Sequence, residues 1–186
     1  SLDEHNFSDE DLKEKGLLAP VAASVLMKIL YTARCERFDL LYPVCVLVRE
    51  VTRWTRACDK QLHRLVCYVL HTVDWCLETF IGDPVDALSV VLYCDADFAG
   101  DAASQRSTSG VHLALHGTHS IYPLQGLSSK QDAVAFSTPE AEFYAGCMGY
   151  RKVMIPAMQL WNVLGPTMKV PMFHEDNQAM ILIVLS

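Results

Sequence analysis

The hydrophobic period of this chain changes at Gly82-Asp83-Pro84, and that change limits the available folds more than any other feature. Upstream, from Gly16 to about His71, the apolar residues follow helical spacing. Pro20 suits the first turn of a helix, and Val21 to Arg34 is apolar nearly all round. Pro43 opens a second helix, and a third is expected over roughly Asp59 to His71. Downstream, Ala87–Cys94 (ALSVVLYC) is a short β-branched run suited to a buried strand. The Gly-Asp-Pro cluster is a turn signal between the two regimes. Three zones follow: an acidic leader, 1–15; a helical extension, 16–83; and an α/β domain, 84–186.

Within the last zone, two more strands are expected at about Gly110–Leu115 and Ile121–Leu127, with Gly117 in the connection between them. Ser137-Thr138-Pro139-Glu140 offers an N-cap, a proline just inside it and an acid in the first turn. A long helix should run from there to about Leu164, stopped by Gly165-Pro166. Val170–His174 reads as a fourth strand, and a further helix starts from Asp176. Three strands, a helix, a strand and a helix make an α/β fold with a mixed sheet.

Charge bounds the function. The net charge is -7, from 15 basic and 22 acidic residues, and no zone has a large basic excess. A stand-alone nucleic-acid binder carries a clear basic surplus, so tight autonomous binding is not expected. The leader holds six acids against two lysines and is expected to be disordered unless a partner holds it. Seven cysteines form no CxxC pair and no zinc-spaced cluster, which reads as buried reduced thiols in a reducing compartment. Leu17–Ala33 is the one membrane-like run. It contains Pro20 and Lys28 and is shorter than the roughly 20 clean apolar residues of a spanning helix. A buried helix is the expected state, with contact to a membrane complex left open.

Three acids occupy comparable places in this layout. Asp95 follows the first strand in CDADFAGD, Glu142 lies early in the long helix in STPEAEF, and Asp176 follows the fourth strand in HEDNQA. Singly, each also suits a cap or a solvated charge. Together they can converge in space, and carboxylates forced together repel unless cations lie between them. Such a set supports two-metal phosphodiester cleavage, in which the cations activate a water and stabilise the leaving oxygen.

The ordered series CDADFAGD, QRSTSG, LSSKQ, STPEAEF and EDNQA closely resembles the ribonuclease H region of copia-type long-terminal-repeat retrotransposons. The resemblance implies a ribonuclease H-like mixed sheet binding two Mg2+ or Mn2+ ions and cutting the RNA strand of an RNA–DNA hybrid. Carried over by position, it makes Asp95 the acid bridging both metals, Glu142 rather than Glu140 the helix acid, and Asp176 the acid after the fourth strand. It makes Asp97 and Asp101 outer or loop residues, and Ser107, Ser109 and Asn177 candidates for touching the nucleic-acid strand. It also implies a cytoplasmic, nuclear or virus-like-particle location. More weakly, AASVLMKILYTARCERFDL and the helices after it resemble the segment joining reverse transcriptase to ribonuclease H. There the family has Thr-Arg-Pro-Asp where this chain reads Cys35-Glu36-Arg37-Phe38-Asp39.

In that zone Arg49, Arg53, Arg56, Lys60 and Arg64 are spaced 4, 3, 4 and 4. On one continuous helix they would form a basic face, either a phosphate track or a solvated side. The resembled fold continues with a fifth strand and a helix bringing a fourth acid. This chain stops at Ser186, so a domain incomplete after the fourth strand and its helix is expected, with three carboxylates and apolar surface to cover. Met180–Leu185 (MILIVL) has no polar residue, and burying six such side chains contributes on the order of 10 kcal/mol. It and the Leu17–Ala33 run should therefore pack on each other or on another chain. Two readings stay open: a metal-dependent endonuclease, and a domesticated non-catalytic fragment serving as a structural or interaction subunit of a larger assembly.

Overall fold

Two separate hydrophobic cores organise the chain. The computed structural model describes residues 7–101, 104–164 and 170–186, and it divides into one unit over Ser1–Leu77 and another over Glu78–Ser186. The division falls ahead of Gly82-Asp83-Pro84 because Phe80–Ile81 already pairs into the sheet of the second unit.

The first unit is helical: α1 (Asp9–Lys13), α2 (Ala19–Cys35), α3 (Leu41–Arg49) and α4 (Arg56–His71), with short 3-10 turns at Phe38–Leu40 and Val51–Arg53. Each longer helix buries a stripe at helical spacing, as Ala57, Cys58, Leu62 and Leu65 do on α4. These residues close over Leu26, Leu40, Val44, Leu47 and Trp54. Asp59 fastens the entry to α2, accepting hydrogen bonds from the Leu17 and Leu18 main-chain N–H groups (2.6 and 3.1 Å) and from Trp54 Nε1 (2.7 Å).

Several expectations for this unit are corrected. Residues 8–15 of the acidic leader are built into it, with α1 capped reciprocally by Ser8 and Asp11; residues 1–6 lie outside the described residues. The membrane-like run is amphipathic rather than buried, since α2 buries Ala22, Leu26 and Ala33 while Leu17, Val21 and Tyr31 are exposed. No helix among the described residues is long and apolar enough to cross a membrane. The basic stripe is not on one helix: Arg49 ends α3, Arg53 lies in a 3-10 turn, and the extended backbone of Trp54 (φ -65°, ψ 121°) separates both from α4. Of its members, Arg53 pairs with Glu50, Arg56 with Glu14, and Lys60 with the leader's Asp11. All seven cysteines are free, but only Cys58 and Cys94 are buried, against the expectation of buried thiols.

The second unit is mixed α/β, with a five-stranded sheet compatible with the ribonuclease H-like expectation. The strands β1 (Phe80–Ile81), β2 (Ser89–Asp97), β3 (Thr108–Gly117), β4 (Ser120–Lys130) and β5 (Met172–His174) lie in the order β1-β4-β3-β2-β5. All neighbours are antiparallel except β2 and β5, which run parallel. That one parallel pair needs a crossover, and α5 (Thr138–Gly149) and α6 (Ile155–Leu164) lie on it in sequence. The expected single rod is interrupted by a π turn at Tyr150–Met154. The reason is Pro156, which has no N–H to give and whose ring collides with the carbonyl four residues earlier, at Lys152. The Gly165-Pro166 stop lies outside the described residues. The last helix, α7 (Gln178–Leu185), starts at Asn177, whose Oδ1 accepts from the Met180 N–H at 3.0 Å.

Helix α5 lies very close to the sheet. Ala141 and Ala145 are fully buried in the core with Val90, Leu92, Cys94, Val111 and Leu113. A Cβ on Gly149 would stand 2.5 Å from Cys94 Sγ and 3.2 Å from the nearest Val111 methyl. Gly149→Ala should therefore lower stability by about 1–3 kcal/mol through overpacking. Cys94→Ala in the same chain should recover part of that loss in a chemical-denaturation double-mutant cycle, whereas strictly additive losses would show that the contact is not the cause.

Candidate metal centre

Glu140 and Glu142 lie two residues apart on α5 and are put to opposite uses. The N-cap Ser137 accepts from the Glu140 N–H at 3.4 Å, and Glu140 Oε2 accepts from the Phe136 N–H at 2.8 Å. Glu140 is thus spent on the helix start and points outward. Glu142, a further 200° round the helix by geometry, is turned inward and is only 4% exposed. Gln131 fixes this segment: its Nε2 donates to Ser109 Oγ (3.0 Å) and to the Ala141 carbonyl (2.9 Å). The residue just before Glu142 is thereby tied to β3.

Asp95 is within β2 rather than after it, paired with Gly110 of β3. The strand outruns its expected end at Cys94 because the ladder with β3 continues to Asp97. Asp176 follows β5, which runs alongside β2 with Tyr93 opposite His174. Ligand oxygens of Asp95, Glu142 and Asp176 all lie within 4.8 Å of one another, with Asp95 and Asp176 exposed and Glu142 buried. The sequence-expected triad is therefore brought together.

No ion pair among the described residues reaches any of these acids. Burial, then the charges of Asp95, Glu175 and Asp176, push the Glu142 carboxyl up to about 7, against a main-chain hydrogen bond from Ala96. Glu142 Oε2 is buried without a hydrogen-bond partner. A buried acceptor in that state is unfavourable unless something positive meets it. An all-carboxylate set with one orphaned oxygen fits a hard divalent cation such as Mg2+ or Mn2+.

A fourth acid was missed in the sequence. Glu175 Oε1 accepts from the Asn177 N–H at 3.0 Å, while its Oε2 is buried and unpartnered. Burial raises this carboxyl, opposed by main-chain hydrogen bonds from Asn177 and Asp176 and reinforced by the charges of Asp176 and Asp95. In the sequence its only signal is its place beside Asp176 in HEDNQA, and both residues lie past the end of β5 at His174. Close by, burial and then the Glu175 and Glu142 charges push the Cys94 thiol up to about 12, leaving it unreactive.

Other candidates fare differently. Ser107 and Ser109 are fully buried, so neither can touch a nucleic-acid strand. Ser107 Oγ accepts from the Ala99 N–H (3.1 Å), steadying a residue with φ 52°, and Ser109 Oγ is engaged by Gln131. Asn177 caps α7. Asp97 is exposed at the end of β2, and Asp101 is bound to Lys130 and Ser104. The His174 ring stacks on Tyr93, with centroids 4.9 Å apart.

Comparison with known proteins gives two informative relatives. The chain is 28% identical over 171 residues to the Retrovirus-related Pol polyprotein from transposon TNT 1-94 of Nicotiana tabacum. The match takes in 91% of this chain but only 12% of that polyprotein. It is 34% identical over 123 residues to Secreted RxLR effector protein 161 of Plasmopara viticola, covering 66% of this chain and 81% of that protein. No family model matches the chain, and no solved structure matches it significantly.

The crowding of Glu142 has a pH signature. Its carboxyl titrates at about 7 in the folded chain against an ordinary 4.5, so the folded state holds the proton more tightly. Metal-free stability from this group is thus present below pH 4.5 and lost as pH rises through the window to about 7. In EDTA, Tm should fall across that window, and Glu142→Gln should flatten the fall; equal slopes for both proteins would refute the assignment.

Proposed function

From a chain that belongs to one family with Secreted RxLR effector protein 161 of Plasmopara viticola, and that has a retrotransposon-polyprotein origin, we propose a metal-dependent ribonuclease H. The substrate is the RNA strand of an RNA–DNA hybrid, and the reaction is hydrolysis of a phosphodiester bond. The observation that carries this reading is the convergence of Asp95, Glu142 and Asp176 with a buried, unpartnered Glu142 oxygen. The copia-type motif series supports the substrate class.

Asp95, Glu142 and Asp176 would hold the cations. Bound there, Mg2+ or Mn2+ would supply a nucleophilic water near neutral pH and charge stabilisation for the leaving 3′-oxygen. The protein's own contribution is placement. Exposed Asp95 and Asp176 would open the site to a phosphate, and buried Glu142 would back it from α5. The net charge of -7 gives no general attraction for a polyanion, so moderate salt, which screens the long-range repulsion, should help the substrate approach.

The test is cleavage of end-labelled RNA in a hybrid with Mg2+ or Mn2+. The wild-type chain should cut, and Asp95→Asn should remove detectable turnover while keeping the circular-dichroism spectrum. Cleavage that survives Asp95→Asn would overturn the site.

A second reading, an interaction subunit without turnover, is favoured by α7. Met180 is buried, but Leu182, Ile183, Val184 and Leu185 are exposed, the last at 79%. So large an apolar patch on a short helix suits contact with another chain. Under this reading the hybrid is not cut, and the protein self-associates at micromolar concentration in light scattering. Leu182→Glu with Val184→Glu should shift it toward monomer; a wild-type monomer with α7 exposed would remove the support for an interaction surface.

A further inference from the structure

Two acids, Glu175 and Asp176, follow in succession at the end of β5. Met172 and His174 pair with Val91 and Tyr93, while Phe173 turns the other way: a Cβ on Gly146 of α5 would lie 3.1 Å from its ring. Glu175 follows just past the strand, near enough to Glu142 and Cys94 for its charge to act on both. There it has one oxygen bonded to the Asn177 N–H and the other buried and free. Among the described residues, Glu142 Oε2 and Glu175 Oε2 are the only buried side-chain nitrogens or oxygens without a hydrogen-bond partner. The protein has therefore left two acceptors orphaned at one place, one on each of two neighbouring glutamates, with no cationic side chain paired to either.

Chance packing rarely leaves a buried carboxylate oxygen unmet, and two such neighbours compound the cost. The natural complement is a divalent cation with its bound waters, which are strong hydrogen-bond donors. Glu175 stands outside the group whose oxygens lie within 4.8 Å of one another, so its reach is to the hydration shell.

We propose that Glu175 is the fourth carboxylate of this centre, adding negative charge and accepting, through its free Oε2, a hydrogen bond from a water on a cation held by Asp95, Glu142 and Asp176. This rests on the metal-centre reading above and deepens it. It makes Glu175 a positioning residue, acting on cation and water.

Mn2+ alone is the probe, its binding to the full chain followed by electron paramagnetic resonance and calorimetry. Glu175→Gln should weaken Mn2+ binding by about 10–100-fold, the range for outer-shell partners of metal sites. In EDTA the same variant should melt above wild type, because a repelling charge is gone. A merely structural glutamate would give the opposite Tm shift. Glu175→Ala, which leaves no amide to satisfy, supplies the comparison if the glutamine variant does not fold. Glu140→Gln, at the helix cap, should bind Mn2+ as wild type does. Unchanged Mn2+ affinity in both Glu175 variants, with Asp95→Asn defective, would overturn the role of Glu175 and leave the centre standing. Absence of Mn2+ binding by wild type would overturn both.

Discussion

Glu142 can meet acids from β2 and β5 only because α5 rests almost on the sheet. The contact face of that helix is Ala141, Ala145, Gly146 and Gly149, all buried, with larger side chains supplied by the strands below. Small residues at helical spacing let the axis approach, and the strand side chains fill the space so gained. Gln131 then ties the Ala141 carbonyl to Ser109, which leaves little slack in where the next side chain emerges. A site holding cations between carboxylates tolerates shifts of well under an ångström or so. The interlock of helix and sheet is what keeps it within that tolerance.

The two units differ in how they treat their inward-turned acids, although Asp101 of the second is paired with Lys130. In the helical unit, Asp11, Glu14 and Glu50 each meet a lysine or arginine, and Asp39 is held by Arg37 and Tyr68. Of these only Asp11 is buried, and its charge is met by Lys60. In the α/β unit, Glu142 and Glu175 are drawn inward with no such partner, and repulsion accumulates at one edge of the sheet. The apolar core of Val90, Leu92, Leu113, Ala145 and Met154 offsets that strain. Local instability concentrated at a few ionisable groups on a sound scaffold is the usual mark of a working site.

Much of this was legible in the chain itself. Strands β2 and β3 were visible because Val90, Val91 and Leu92, and likewise Leu113, Ala114 and Leu115, are buried in succession, which favours continuous apolar runs; β4 pairs beside them with most of its residues exposed or half-buried. The start of α5 was visible because Ser137 and Pro139 act locally. Features set by distant partners were not. Strand β1 is two residues long and exists only through pairing with Ile121 and Ser120. Ser107 and Ser109 look like surface hydroxyls in a polar segment, yet the β3 ladder and Gln131 bury them. The basic stripe reads as one face until Trp54, which turns its ring into the core and extends the backbone there. The acids Asp95, Glu142 and Asp176 stood out through their motifs, whereas Glu175 was overshadowed by its neighbour, since the burial of its Oε2 is set by tertiary packing.

Strand β5 is joined to the sheet by three paired residues on one side only, and it is the parallel edge. Its partner β2 lies far back along the chain, so closing this pair costs the entropy of a long loop and brings only three paired residues with it. Opening it also disturbs little: the antiparallel β4-β3-β2 sheet and the α5 contact can persist while β5 lifts away. In such an excursion Asp176 and Glu175 leave together, and the acidic cluster dissolves without global unfolding. Ions that bind across the β2–β5 seam would then act as a clasp on this edge, coupling its closure to the occupancy of the site.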